Sequence, residues 1–295
     1  MSIVVEQVLG LSTLQDGGRA GYRHEGIPLG GYADPAAARL ANRLVGRAAQ
    51  APLIECASGL LRLRFGSGGT VAWTGAGASV RVDGITVSAY RRLRLRPGAV
   101  LQVSGPYEGR FTYLAVAELG AMPTWRGSVA PLRLGDAWHP SSSVLRVGQC
   151  LPLEAGGADV FLTRAVFARV PARPKVLTAE AAPETHLYRP WIAGEYAGLA
   201  PLAQVPWRVS RVSDRVGVRL GHGLGARLGR RLPQPPSARS SPTLPGTVQV
   251  LPGGHLIVSM ADGPTMGGYP RLGVLDEASR GALAQATGVV WLDVA

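Results

Sequence analysis

The stretch Leu60-Leu61-Arg62-Leu63-Arg64-Phe65-Gly66-Ser67-Gly68-Gly69-Thr70-Val71-Ala72-Trp73-Thr74 sets two short apolar runs on either side of a glycine-rich turn. Runs of that length, rich in Leu, Val, Thr and aromatic residues and stopped by turn residues, read as strands. The same texture continues in both directions. With 40 glycines and 23 prolines as punctuation, further strands are expected at Ile3 to Leu9, Ser79 to Val82, Val100 to Val103, Phe111 to Val116, Val160 to Val166, Trp207 to Val209, Thr247 to Val250, Leu256 to Met260 and Val289 to Val294. Helical signal is confined to three places. Asp34 to about Val45 has an N-cap aspartate, Pro35 at the first position and Gly46 as a stop; Asp276 to Gln285 opens with two carboxylates suited to the helix dipole; a weaker signal surrounds Leu177 to Glu180. The expected fold class is mainly β, built as barrels or sandwiches with a few short helices, and a parallel α/β architecture is not expected.

A chain of 295 residues has length for two domains of ordinary size. The boundary is expected near Ala117 to Thr124, giving 1–118 and 119–295, with the option that the C-terminal strands return to the first half. Residues 221–246, glycine- and proline-rich with serine flanks, read as a mobile basic loop. The first 25 residues lack a basic start followed by an apolar core, and no run of 18 apolar residues occurs; the expectation is a soluble, cytoplasmic protein with no membrane partner. Cys56 and Cys150 are too few for a disulfide framework and read as reduced core thiols. The net charge of +12 raises nucleic acid as a partner, but Lys175 is the single lysine and arginines are spread along the whole chain. In the densest run, Arg92, Arg94 and Arg96 share one strand face with no aromatic residue between them, which favours a solvated face over a nucleic-acid groove.

Two polar clusters stand out against this background: Gln15-Asp16-Gly17-Gly18-Arg19-Ala20-Gly21-Tyr22 and Asp262-Gly263-Pro264-Thr265-Met266-Gly267-Gly268-Tyr269-Pro270. Each places charged or hydroxyl groups beside glycines, which admit positive φ and let a ligand approach backbone N–H groups. Both are expected to wall one cavity. Asp16 could accept a proton or anchor a substrate N–H, and Arg19 could clamp a carboxylate or phosphate. Gly267 and Gly268 could donate N–H groups to a developing oxyanion, with Thr265 and Tyr269 adding hydroxyls; these six form the candidate catalytic set. Candidate substrate-binding residues are Gln15, Tyr22, Asp34, Glu55, Asp214, Arg215 and Asp262, although Asp34 also reads as a helix cap and Glu55 as the partner of a buried donor. Standard machinery is missing from the sequence. There is no Walker A loop and no G-x-S-x-G elbow, Gly223-Leu224-Gly225-Ala226-Arg227-Leu228-Gly229 has the wrong spacing for a dinucleotide loop, and the five histidines show no metal-ligand spacing.

These residues resemble the carboxyltransferase-like family called allophanate hydrolase subunit 2, which includes the C-type subunit of 5-oxoprolinase and the matching half of the urea carboxylase carboxyltransferase domain. Gly10 to Tyr22 follows a family pattern close to G-x-x-T-x-Q-D-x-G-R-x-G-Y. Gly26-Ile27-Pro28, Asp34-Pro35, Ala41 to Gly46, Glu55, Thr74-Gly75-Ala76, Tyr113 to Val116, Ser213 to Leu220, Pro245 to Val250 and Thr265 to Pro270 then fall in order over almost the entire chain.

The resemblance implies a pair of cyclophilin-like β-barrel subdomains and a partner of the subunit 1 type. In the 5-oxoprolinase setting a LamB/YcsF-type subunit joins and the complex opens the lactam of 5-oxoproline to glutamate at the expense of ATP. In the alternative setting a carboxyl group passes from biotin, held on a separate carrier, to a urea-like substrate. A third option is a non-catalytic regulatory partner of a kinase-inhibitor-like subunit 1 homologue. A small amide or ureido substrate is common to the first two. The chain departs from the family at two loops: a pattern near G-S-R-S-T reads Gly127-Ser128-Val129-Ala130-Pro131, and D-R-Q-T-T-G-G-Y-P reads Asp262-Gly263-Pro264-Thr265-Met266-Gly267-Gly268-Tyr269-Pro270. Guanidinium, amide and hydroxyl groups are lost there, and proline or alanine cannot replace their hydrogen bonds.

Overall fold

A computed structural model of the chain describes residues 1–154, 176–180, 206–222, 240–252 and 254–294. The chain divides into two compact units, one formed by Met1–Arg19 with Gly30–Val170 and the other by Ala20–Leu29 with Pro171–Ala295. The boundary read from sequence at 118/119 is therefore displaced. Leu119, Val129, Leu145, Leu151 and Leu153 are buried in the same apolar cluster as Ile3, Leu63 and Trp73, so the hydrophobic content after residue 118 completes the first core and does not begin a second. In return, a short segment from near the N-terminus, Ala20–Leu29, is given to the second unit.

The first unit is built from β1 (Ser2–Leu9), β2 (Ser12–Gln15), β3 (Leu53–Cys56), β4 (Leu60–Phe65), β5 (Gly69–Val82), β6 (Ile85–Val87), β7 (Arg92–Leu95), β8 (Val100–Val116), β9 (Leu132–Leu134), β10 (Ala137–His139) and β11 (Cys150–Pro152). Nine of them form one sheet, ordered β11-β1-β4-β8-β3-β2, with β5 on β8 and carrying β6 and β7. Two pairs of expected strands fuse here. Thr70–Thr74 and Ser79–Val82 become the single strand β5, and the two runs around Gly105-Pro106 become β8, because the β5–β8 ladder passes through register shifts at Gly75/Gly77 and Gly77/Ser79 without stopping. Such bulges bend a strand and keep it paired. The helix α1 (Pro35–Leu44) lies against β5 and β8, capped by Asp34 Oδ1, which accepts from Ala37 N at 3.1 Å. On β7 and just beyond it the expected arginine face is present: exposed Arg94 pairs with Glu118 at 3.0 Å, and Arg96 with Asp83 at 3.1 Å.

The second unit contains β12 (Val176–Glu180), β13 (Trp207–Val209), β14 (Gly217–His222), β15 (Ser241–Pro242), β16 (Thr247–Val250), β17 (Leu256–Ser259), β18 (Met266–Gly267), β19 (Arg271–Leu275) and β20 (Val289–Val294). Seven of these close into a barrel in the order β12-β19-β16-β17-β14-β13-β20, sealed by the parallel pairing of β12 with β20. The C-terminal strand thus stays in the second unit. Residues 176–180 are a strand and not the helical turn suggested by Leu177 to Glu180: pairing on both sides overrides a weak local helical preference. The helix α2 (Glu277–Gln285), capped by Asp276, runs beside β12 and β19. Val218, Leu220, Val248, Val250, Leu256 and Val258 are fully or almost fully buried and alternate with Arg219, Gln249 and Ile257, so the first set fills the barrel and the second faces outward. The expected strand Val160–Val166 and residues 223–239 of the expected basic loop lie outside the described residues. No helix among the described residues is long and apolar enough to cross a membrane.

The two cysteines part company. Cys56 is buried as expected, but Cys150 is exposed on the edge strand β11. Burial pushes the Cys56 thiol up to about 12, outweighing a hydrogen bond with Ser12. Native protein treated with iodoacetamide near pH 8 should gain one adduct by mass spectrometry, on Cys150, and denatured protein two, because the thiolate is the reactive form. The sign of the linked stability follows. An unfolded thiol ionises near the ordinary value and the folded one does not, so stability is full below about pH 8.5 and declines as pH climbs from there toward 12.

Candidate functional site

The first polar cluster belongs to the first unit up to Arg19. Asp16 follows the end of β2, and its Oδ1 accepts from Gly18 N at 2.8 Å in an Asx turn. The same oxygen accepts from Ser128 Oγ at 2.6 Å, and Oδ2 accepts from Val129 N at 2.8 Å. Three donors therefore converge on a carboxylate that is only 8% exposed. Ser128 Oγ in turn accepts from Ala130 N at 3.0 Å. Arg19, 1% exposed, donates through Nη2 to the Ala130 carbonyl and lies 5.3 Å from the centre of the Trp125 ring. Asp16 and Arg19 together hold residues 125–130 in place. The divergence of Gly127–Pro131 matters less at this contact than the sequence suggests: Ser128 is retained, and position 129 meets Asp16 through its backbone N–H, which valine supplies as well as arginine.

Beneath this lies a second layer of buried polar groups. Tyr32 N donates to the Asp16 carbonyl at 3.1 Å, Ala33 N to Glu55 Oε2 at 3.0 Å, and Asp34 N to Tyr113 Oη at 2.7 Å. Glu55 is thus the partner of a buried donor and Asp34 the cap of α1, the two structural roles weighed from sequence. Tyr32 Oη donates to the Ala51 carbonyl at 2.5 Å and accepts from Asn42 Nδ2 at 3.1 Å. Burial, reinforced by the Asp16 charge, drives its ionisation far above the ordinary tyrosine range. Gln15 Nε2 bonds Thr13 Oγ1 of its own strand at 3.0 Å and is fully buried. The close approach is made possible by Gly31, with φ +81°: a Cβ there would sit 2.7 Å from Gly18 N and 2.8 Å from the Asp16 carbonyl.

The second cluster lies in the second unit. Asp214 Oδ1 accepts from Val216 N at 2.9 Å and Gly217 N at 3.0 Å, closing the turn into β14. Arg215 and Asp262 form a two-pronged ion pair, 2.7 Å at Nε and 2.9 Å at Nη2. All three are engaged in contacts within the fold. The loop 262–269 is fixed from two sides: Thr243 N donates to the Thr265 carbonyl at 2.8 Å and Thr243 Oγ1 to the Pro264 carbonyl at 2.6 Å, while Arg23 Nη2 donates to the carbonyls of Thr243 and Pro264, the latter at 3.1 Å. Arg23, next to the half-buried Tyr22, comes from the inserted segment and was not singled out by sequence reasoning. Gly267, Gly268 and Tyr269 line a hollow of about 840 Å³ together with Ser240, Gln249, His255 and Arg219. Thr265 is not part of its lining. Among the described residues no group of three or more His, Cys, Asp or Glu side chains is placed to hold a metal.

Gln249 is the residue that sequence reasoning missed here, and its signal was available: a lone amide inside the apolar run Thr247-Val248-Gln249-Val250. It is only 5% exposed, and Nε2 has no hydrogen-bond partner among the described residues. A Cβ at position 267 would stand 2.3 Å from that nitrogen and 2.9 Å from Thr243 Cγ2. Gly267→Ala should therefore cost about 1–3 kcal/mol as an overpacking change, read as a lowered denaturation midpoint; Gly288→Ala, where an added Cβ meets no described residue within 4 Å, is the control.

The family model "Carboxyltransferase domain, subdomain A and B" matches residues 25–288. The chain is 35% identical to the C-type subunit of 5-oxoprolinase from Escherichia coli over 93% of its own length and 84% of that protein, and 31% identical to the C-type subunit of 5-oxoprolinase from Haemophilus influenzae with the same two coverages. It is 25% identical to urea amidolyase of Saccharomyces cerevisiae over 88% of this chain but 15% of that much longer protein. Among solved structures, TTHA0988 superposes with a TM-score of 0.80 at 30% identity, covering the whole of this chain and 55% of that one. The urea carboxylase of Kluyveromyces lactis shares the fold, with a TM-score of 0.80 at 20% identity over 99% of this chain and 27% of the other. The mainly β, two-unit architecture and these matches agree, and the chain belongs to the carboxyltransferase domain, subdomain A and B, family.

Proposed function

We propose that this chain is the C-type component of a 5-oxoprolinase complex, acting with a subunit 1-type protein and a LamB/YcsF-type protein to open the lactam of 5-oxoproline to glutamate. The observation that carries this reading is the similarity to two proteins named as C-type subunits of 5-oxoprolinase across 93% of the chain, supported by the intact arrangement of Asp16, Gly18 and Arg19. In this reading ATP is consumed by the assembled complex. The contribution of this chain is to bind and orient the cyclic amide. The second unit presents an amide, a guanidinium and a hydroxyl around a hollow, a donor set suited to a carbonyl oxygen that gains charge when its carbon is attacked.

A second reading, a regulatory partner without turnover, draws on the engagement of both Asp16 oxygens and of Arg19 within the first unit. One experiment separates the two. The chain is mixed with its subunit 1-type and LamB/YcsF-type partners, and ATP-dependent release of glutamate from 5-oxoproline is measured. Release above that of any two components supports the first reading; a complex that assembles on a sizing column yet releases none supports the second.

A further inference from the structure

The outward face of the second barrel carries a row that the ladder fixes residue by residue. Arg219 of β14 stands opposite Ile257 of β17, and Ile257 stands opposite Gln249 of β16. Directly opposed residues point to the same face, so the three side chains form one line, with the guanidinium and the amide two strand spacings apart, about 10 Å between backbones. Their surroundings differ. Arg219 is exposed and forms no ion pair with a described residue. Gln249 is buried beneath Gly267 and Thr243, and its Nε2 lacks a partner among the described residues.

A buried, unsatisfied amide on the outer face of a barrel is costly. Nothing in the packing of the barrel needs it, since the interior is filled by Val248 and Val250 on either side. A leucine of similar volume would leave no unsatisfied group there, whereas an amide gains only if something else supplies the missing acceptor. Both residues line the hollow of about 840 Å³, with Leu251, Pro252, Ile257 and Met266 giving an apolar middle. Its size suits a small organic ligand.

We infer that this hollow holds a small carboxylic acid bearing a lactam or ureido group, with Arg219 taking the carboxylate, Gln249 the amide, and Ile257 the carbon skeleton between them. The assignment rests on the 5-oxoprolinase reading for the choice of ligand and adds the residues that hold it. A guanidinium matches a carboxylate with two parallel hydrogen bonds. A carboxamide matches a cyclic amide in the same way, giving an N–H and taking one.

The test titrates the full chain with 5-oxoproline by calorimetry, alongside 2-pyrrolidinone, which lacks the carboxylate, and proline, which lacks the lactam carbonyl. 5-Oxoproline should bind at least tenfold more tightly than either analogue. Arg219→Ala, at an exposed position that leaves the fold intact, should weaken it roughly tenfold and abolish its advantage over 2-pyrrolidinone; Gln249→Leu should weaken it roughly fivefold and reduce its advantage over proline. No saturable binding below roughly 10 mM, or binding unchanged in both variants, overturns the inference. The same variants assayed in the reconstituted complex keep the two claims apart. Glutamate release with an unchanged KM removes the pocket and leaves the 5-oxoprolinase reading standing, whereas no release by the complex, with binding still lost in the variants, removes that reading and leaves the pocket.

Discussion

Asp16→Ala is expected to lower the unfolding free energy by about 3–5 kcal/mol, because it removes one carboxylate and strands three donors in a buried place. Gly18 N, Ser128 Oγ and Val129 N all lie within 2.8 Å of its oxygens. Bonds to a charged acceptor are worth more than neutral ones, but their deletions do not add. Asp16→Asn sharpens the point. Its single carbonyl oxygen can serve Gly18 and Ser128 on one side or Val129 on the other, and its NH2 group then faces a donor. The expected loss is about 2–3 kcal/mol, despite near-identical volume. Denaturant midpoints at a common slope give the free energies, and amide exchange at Val129 should accelerate in both variants. If Asp16→Asn is as stable as the parent and glutamate release from the complex nonetheless disappears, Asp16 acts on substrate and its role as an anchor is secondary.

This expectation marks where the sequence was legible and where it was not. Asp16 and Arg19 were visible as a polar cluster among glycines, and the roles first considered were contacts with substrate. Their partners lie 111 to 113 positions away, and no local pattern announces a bond across that separation. Elements decided by short-range rules were read well. Leu60–Phe65, Trp207–Val209, Thr247–Val250 and Val289–Val294 are the strands observed, and Asp34 and Asp276 cap the helices expected of them. Elements decided by pairing were not. β5 and β8 run through glycines that read as strand ends, because a bulge looks like a turn until its partner is known. The Val176–Glu180 strand exists because β19 and β20 flank it. The inserted segment Ala20–Leu29, with Arg23 gripping the Pro264 carbonyl, is legible only in three dimensions.

The pair Arg215–Asp262 provides the second large effect, and it decides between two roles that sequence alone leaves equivalent. Both side chains are mostly out of water, 9% and 15% exposed, and joined at two points. Asp262 N also donates to the Arg215 carbonyl at 3.0 Å, so the pair fastens the turn entering β14 to the turn that follows β17. Removing either partner leaves a charge facing a dry surface, and Arg215→Ala or Asp262→Ala should each cost about 3–5 kcal/mol. Removing both should cost far less than the sum, since the stranded charge is then gone; Arg215→Met combined with Asp262→Leu is the appropriate pair, and a coupling of roughly 2 kcal/mol or more is expected from the cycle. Salt should change these values little, because the pair is shielded from the ionic atmosphere. A substrate-binding role makes the opposite forecast: each single variant would stay within about 0.5 kcal/mol of the parent while the KM of the complex for 5-oxoproline rises. The geometry favours the first outcome, since the Nε–Nη2 edge of the guanidinium, the one suited to a two-pronged grip on a ligand carboxylate, already has Asp262 opposite it, and a substrate seeking that edge would have to break a buried ion pair in order to bind.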